Sequence, residues 1–212
     1  MTFLDFVKRL SDIMLVLATK KILIFIFSIV LRLKVEGLEN IPKEGAVVIA
    51  PNHKSNWDPF LISVICKRYI SFMAKESLFK FLPLRLLLLH FGNFPVKRDA
   101  PSDLTAMRTA LSRLKDGKNL GIFPEGARIK TESLGKAEPG AALILTKSGA
   151  PVIPVAVINT EKIFKFEHGF FPEVKIIFGK PFTVEKMKAD KEKLDEIGEL
   201  LMSKISELRD KK

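Results

Sequence analysis

From Val35 onward the chain alternates short apolar runs, partly β-branched, with longer stretches of helical periodicity. That alternation is the signature of an α/β domain. The apolar runs predict strands over residues 46–50, 70–73, 94–97, 119–123, 152–157 and 174–178. Between them the three-to-four spacing predicts helices over 59–67, 83–90, 102–115 and 140–148, with a last one from about 184 to 209. In the third of these, Ser102 supplies a cap, and Leu104, Met107, Leu111 and Leu114 share one face. The last helix carries Leu194, Ile197, Leu201, Ile205 and Leu208 on one side and reads as a packing helix. No linker, repeat or low-complexity tract interrupts the pattern, so residues 34–212 are expected to form one α/β domain, a mixed sheet flanked by helices.

Residues 1–33 are different material. Ile13 to Thr19 is an uncharged run of seven, Lys20 and Lys21 interrupt it, and Ile22 to Leu31 is an uncharged run of ten. Neither reaches the roughly 20 residues that a spanning helix needs. A single tilted span over 13–31 would bury both lysines near its middle, at about 2.5–3.5 kcal/mol each. A secretory signal is the other reading of such a stretch, but no small-x-small cleavage site follows Leu31. The expectation is therefore an N-terminal helical anchor lying in one leaflet. Lys8, Arg9, Lys20, Lys21, Arg32 and Lys34 would sit at the headgroups, each worth about 1 kcal/mol against anionic lipid.

Composition narrows the function further. Among 212 residues, 35 Lys+Arg stand against 24 Asp+Glu, a formal charge of +11 that points to an anionic partner. One Trp, one Tyr and no zinc-finger spacing make nucleic acid the weaker candidate beside an acidic membrane surface or a phosphorylated substrate. The lone Cys66 forms no internal disulfide, and a reducing compartment fits it best. His53, His90 and His168 lie more than thirty residues apart, so no local metal motif is expected.

The candidate chemistry collects in the loops that follow the strands, where an open α/β sheet places its ligands. After the first strand comes Asn52-His53-Lys54-Ser55-Asn56-Trp57-Asp58-Pro59. In a continuous helix, residues five apart point about 140° away from each other, so His53 and Asp58 meet only across a turn. If they meet, the carboxylate fixes one ring nitrogen and the other faces a substrate hydroxyl. Spacing alone favours the plainer reading, Asp58 as a helix cap and His53 as an ordinary loop residue. Gly92-Asn93-Phe94-Pro95-Val96-Lys97-Arg98 and Phe123-Pro124-Glu125-Gly126-Ala127-Arg128 each place cations just beyond a strand, where a guanidinium fork suits phosphate. Taken singly, these are also ordinary turns and solvated pairs.

Together, in this order and spacing, the pieces resemble the glycerophospholipid acyltransferase family, in particular its bacterial 1-acylglycerol-3-phosphate acyltransferases. Asn52, His53 and Asp58 match an N-H-x4-D motif. Gly92, Phe94, Pro95, Val96 and Arg98 match a second motif, and Phe123, Pro124, Glu125, Gly126 and Arg128 match F-P-E-G-x-R-S. Val152 to Val155 resembles the apolar fourth motif. Ile129 stands where the third motif usually has Ser. The resemblance implies a glycerol-3-phosphate acyltransferase-like fold and transfer of an acyl group from acyl-coenzyme A or acyl-carrier protein to the 2-hydroxyl of 1-acylglycerol 3-phosphate (lysophosphatidate). The product would be phosphatidate, made without a tightly bound cofactor or metal, and the basic flanks of the N-terminal segment with the cytoplasmic location of thioester donors point to the cytoplasmic face of the inner membrane. It further implies His53 as general base, supported by Asp58. Lys75, Arg98 and Arg128 would bind the acceptor phosphate, and Glu125 and Gly126 its glycerol. An acceptor such as glycerol 3-phosphate or another lysolipid, or a non-catalytic lipid-binding role, are the alternatives. The leucine-rich segment 82–91 reads either as a continuation of the membrane face or acyl tunnel, or as a buried helix.

Overall fold

The computed structural model describes residues 21–97, 104–163, 165 and 172–210. Residues 21–30 form helix α1, followed by β1 (Lys34–Glu36), β2 (Val48–Pro51), α2 (Asp58–Ile65), β3 (Ile70–Lys75), α3 (Leu82–His90) and β4 (Phe94–Val96). The second half runs α4 (Leu104–Lys115), β5 (Asn119–Gly121), α5 (Pro139–Ser148), β6 (Val152–Ile158), β7 (Lys175–Phe178) and α6 (Lys191–Arg209). The seven strands form one sheet in the order β1-β7-β6-β2-β5-β3-β4. The five from β6 to β4 run parallel, whereas β7 is antiparallel to β6 and carries β1 parallel to itself. The sheet is therefore mixed, as expected.

Both faces of the inner strands are covered, which is why β2 and β6 read as nearly continuous apolar runs. Alternation along β2 divides the core: Val48 and Ala50 face α4, α5 and α6, while Val47 and Ile49 face α2. From β2 the chain steps through α2, which lies on one face, across to β3. The connections from β4 to β5 and from β5 to β6 step back through α4 and α5 on the other face. Right-handed crossovers require this reversal of face with direction. Its consequence is that α2 and α5 leave the neighbouring strands β2 and β5 toward opposite faces, which makes the carboxyl ends of those two strands the switch point where an open α/β sheet takes its ligands.

Two expectations need adjustment. Helix α6 begins at Lys191 rather than near 184, because Phe182 bridges to Val152 and the Met187 N–H donates to the Thr146 carbonyl, holding that stretch extended. Asp190 caps the helix by accepting from the Lys193 N–H at 2.9 Å. Helix α3 is not a buried helix: none of its residues is buried, and Leu82 and Leu86 are 62% and 59% exposed. On α1, Phe25 is 66% exposed and Ile29 58%. Phe60 of α2 links the two helices on their inner sides, in edge contact with Phe27 of α1 and with the buried Phe91 just past α3. Among the described residues no helix is long and apolar enough to cross a membrane. Most of the expected anchor, the Ser102 cap and the cation Arg98 lie outside the described residues.

Candidate active site

The β2–α2 loop brings His53 and Asp58 together. After Pro51 the chain leaves the sheet, and Asp58 becomes the first residue of α2 only after a turn in which its N–H donates to the Ser55 carbonyl. The carboxylate folds back over that turn. Asp58 Oδ2 accepts from the Lys54 and Ser55 N–H groups at 2.7 Å each and stands 2.8 Å from His53 Nδ1. A carboxylate only accepts, so Nδ1 carries the proton and Nε2 presents the lone pair. Among the described residues Nε2 has no hydrogen-bond partner. Asp58 is fully buried and the His53 side chain is 7% exposed, which shields their interaction from water.

The ring is held from its face as well. His53 stacks on Phe123 at 3.9 Å between centroids, and Phe123 stacks on Phe72 at 5.4 Å. Phe72 can occupy that place only because residue 121 is glycine, whose Cβ, if present, would lie 2.2 Å from the Phe72 ring. Asn52 fastens the end of β2 to β6, accepting from the Val157 N–H at 2.7 Å and donating to the Val157 carbonyl at 3.0 Å.

Glu125, which the resemblance assigns to acceptor binding, is buried and already engaged. Its Oε2 accepts from the His53 N–H at 2.6 Å and its Oε1 from the Gly135 N–H at 2.8 Å. The Ile129 N–H donates to the His53 carbonyl at 2.9 Å, so the turn after β5 is stitched to both sides of His53. Gly126 has φ +65, a conformation that favours glycine, and a Cβ there would also push the exposed Glu138 side chain aside. The Gly126 and Ala127 N–H groups donate within the turn, to Phe123 and Glu125. Ile129, in place of the expected Ser, packs its side chain against Gly135.

Arg128 is exposed just beyond this turn, and Lys75 is exposed at the carboxyl end of β3, beside the end of β4 that leads to Arg98. The five parallel strands thus deliver the histidine, the carboxylates and the described cations to one edge of the sheet. Two features escape the sequence reading. Lys54 Nζ donates to the Thr131, Ser133 and Glu132 carbonyls at 2.5, 3.4 and 3.5 Å, clamping the loop beyond Arg128. Thr160, just past β6, donates its hydroxyl to Asp58 Oδ1 at 2.5 Å. Its only signal in the sequence is a small polar residue two positions past the apolar run of β6. No group of three or more His, Cys, Asp or Glu side chains converges among the described residues.

A model of the acyltransferase family matches residues 32–158. A chloroplast 1-acyl-sn-glycerol-3-phosphate acyltransferase of Brassica napus is 30% identical over 160 residues, which cover 72% of this chain and 45% of the relative. The Bacillus subtilis 1-acyl-sn-glycerol-3-phosphate acyltransferase is 31% identical over 184 residues, covering 84% of this chain and 88% of that one. The chain therefore spans less than half of the chloroplast relative and most of the bacterial one. The crystal structure of the 1-acyl-sn-glycerophosphate acyltransferase PlsC from Thermotoga maritima superposes with a TM-score of 0.64 at 25% identity, covering 84% of this chain and 73% of that chain.

Proposed function

The chain belongs to the acyltransferase family, and from that premise we propose that it acylates the 2-hydroxyl of 1-acylglycerol 3-phosphate, using acyl-coenzyme A or acyl-carrier protein as donor and yielding phosphatidate. The observation that carries the reading is His53 Nδ1 held 2.8 Å from a buried Asp58 carboxylate whose two oxygens are both engaged, with Nε2 unpartnered among the described residues. His53 Nε2 takes the hydroxyl proton as the acceptor oxygen attacks the thioester carbonyl carbon, a general-base contribution of about a hundred- to ten-thousandfold. The imidazolium that forms is supported by Asp58 and returns its proton to the departing thiolate sulfur as the tetrahedral intermediate collapses. The thioester is already activated, so no acyl-enzyme is required.

Arg128, Lys75 and Arg98 would receive the acceptor phosphate, the guanidiniums by their paired donors. Glu125 with Gly126 would shape the turn under the glycerol; the engagement of both Glu125 oxygens by backbone amides favours this indirect role over a direct contact. The exposed apolar faces of α1 and α3 support docking on the cytoplasmic face of the cell membrane, where thioester donors are found and the acceptor phosphate lies at the surface. The N-terminal anchor would meet that leaflet through the exposed face of α1, since Leu31 is buried in the domain core with Phe27 and Leu33 packed against it.

The test offers labelled acyl-coenzyme A or acyl-carrier protein with lysophosphatidate, glycerol 3-phosphate or lysophosphatidylcholine in mixed micelles, to the wild type and His53→Ala. Labelled phosphatidate from the wild type, with the variant at least about a hundredfold slower, is the expected result. Transfer to another acceptor keeps the mechanism and changes the substrate. Inactivity of the wild type with every pair, while liposome binding persists, refutes the enzymatic reading.

A further inference from the structure

The Asp58 carboxylate has two oxygens in different circumstances. Oδ2 faces three donors from its own loop, whereas Oδ1 faces a hydroxyl 102 residues away in the chain, Thr160 Oγ1. We infer that Thr160 is a positioning residue of the site, acting through Asp58 on the His53 ring; the inference rests on the proposed reading of His53 as the base.

The placement of Thr160 follows from the topology. Strand β6 lies beside β2, and just past its end Asn159 adopts φ +65, turning the chain toward Asp58. The Asn159 side-chain amide donates to the Glu173 carbonyl at 2.9 Å and secures that turn. Thr160 then opens a short 3-10 helix, Thr160–Lys162, and is itself fully buried, like Asp58. A residue so enclosed does not touch substrate, and its one hydroxyl proton is committed to the carboxylate.

What the hydroxyl supplies is orientation. Donors on Oδ2 alone leave a carboxylate free to tilt about its Cβ–Cγ bond, and a buried oxygen without a donor is costly. A second donor on Oδ1 fixes the carboxylate plane, so that Oδ2 stays directed at Nδ1 and the ring keeps Nε2 facing outward. Hydrogen bonds to charged groups are the stronger ones, and a misdirected base loses rate rather than substrate affinity.

The experiment compares Thr160→Val, which keeps the shape and removes the donor, with Thr160→Ser, which keeps the donor, in the full chain; Thr160→Ala stands in if the valine variant does not fold. The valine variant is expected to lower kcat about tenfold to a hundredfold, with KM for donor and acceptor within about twofold, and serine to recover most of the loss. In a His53→Ala background Thr160→Val should change the residual rate less than about twofold. An undiminished loss in that background, or a KM effect without a kcat effect, would overturn the inference. The ring nitrogen-15 chemical shifts of His53, assigned by comparison with His53→Ala, give a readout independent of turnover. They should move in Thr160→Val and return in Thr160→Ser; no movement overturns the role. If the wild type transfers no acyl group to any acceptor, the proposed reaction fails on its own and the nitrogen shifts alone decide Thr160.

Discussion

Replacing Asp58 by Asn tests whether the charge beside His53 matters beyond the hydrogen bond. The amide can enter the same site in one orientation. Its carbonyl would take the place of Oδ2, accepting from the Lys54 and Ser55 N–H groups and from His53 Nδ1–H, while its NH2 would face Thr160, whose hydroxyl can rotate to accept. Two backbone donors select that orientation, so Asp58→Asn should keep the fold and the Nδ1–H tautomer and lose only the negative charge. At about 4 Å and an effective dielectric of about 20, a carboxylate stabilises an imidazolium by about 4 kcal/mol. At about 1.4 kcal/mol per tenfold, and allowing for partial compensation by the amide dipole, kcat should fall about a hundred- to a thousandfold. Asp58→Ala should do something different: it leaves two backbone donors and a buried hydroxyl unsatisfied, at about 1–3 kcal/mol each, and should melt well below the wild type. Initial rates in mixed micelles and thermal melts of the three proteins make the comparison. An Asp58→Asn enzyme that keeps more than about a tenth of wild-type kcat would refute the electrostatic role.

Gly121→Ala places a methyl 2.2 Å from the Phe72 ring that supports Phe123 and His53; overpacking should cost about 1–3 kcal/mol in denaturant unfolding and slow turnover too, and a variant with unchanged stability would contradict the stacking argument. Glu125→Gln keeps only one of the two acceptors used by the His53 and Gly135 N–H groups, so the melting temperature should drop along with kcat; an intact melt with raised acceptor KM would favour direct substrate contact instead. Arg128→Ala leaves the folded core untouched because the residue is exposed, and should raise the acceptor KM about tenfold to a hundredfold, as expected for a lost charge-assisted bond, checked with a phosphate-bearing and a phosphate-free acceptor. Phe25→Asp with Ile29→Asp, on the exposed face of α1, should leave thermal stability unchanged and reduce co-sedimentation with anionic liposomes; undiminished co-sedimentation would remove α1 from the docking face.

The central strands were readable because β2 and β6 are buried on both faces and carry unbroken apolar runs, such as Val152 to Ile158. Strand β1 was not, because Lys34-Val35-Glu36 is an exposed edge strand with charge at either end, held by β7 through a pairing that has no local signature. The same division runs through the site. His53 and Asp58 share one loop, so their meeting depends on a turn that Lys54-Ser55-Asn56 can make, and the motif spacing makes it visible. Thr160 and Glu125 reach that loop from residues 102 and 72 positions away from their partners, and no periodicity encodes such approaches. Strand order encodes them. Strand β2 lies between β6 and β5, so the loop leaving its end has two structural neighbours, and each contributes one anchor: the β6 side holds the Asp58 carboxylate through Thr160, and the β5 side holds the His53 main chain through Glu125. A base on an edge strand would have had only one such neighbour. Placing it on an inner strand at the switch point lets the fold brace the imidazole from both sides while its remaining nitrogen stays open to the substrate.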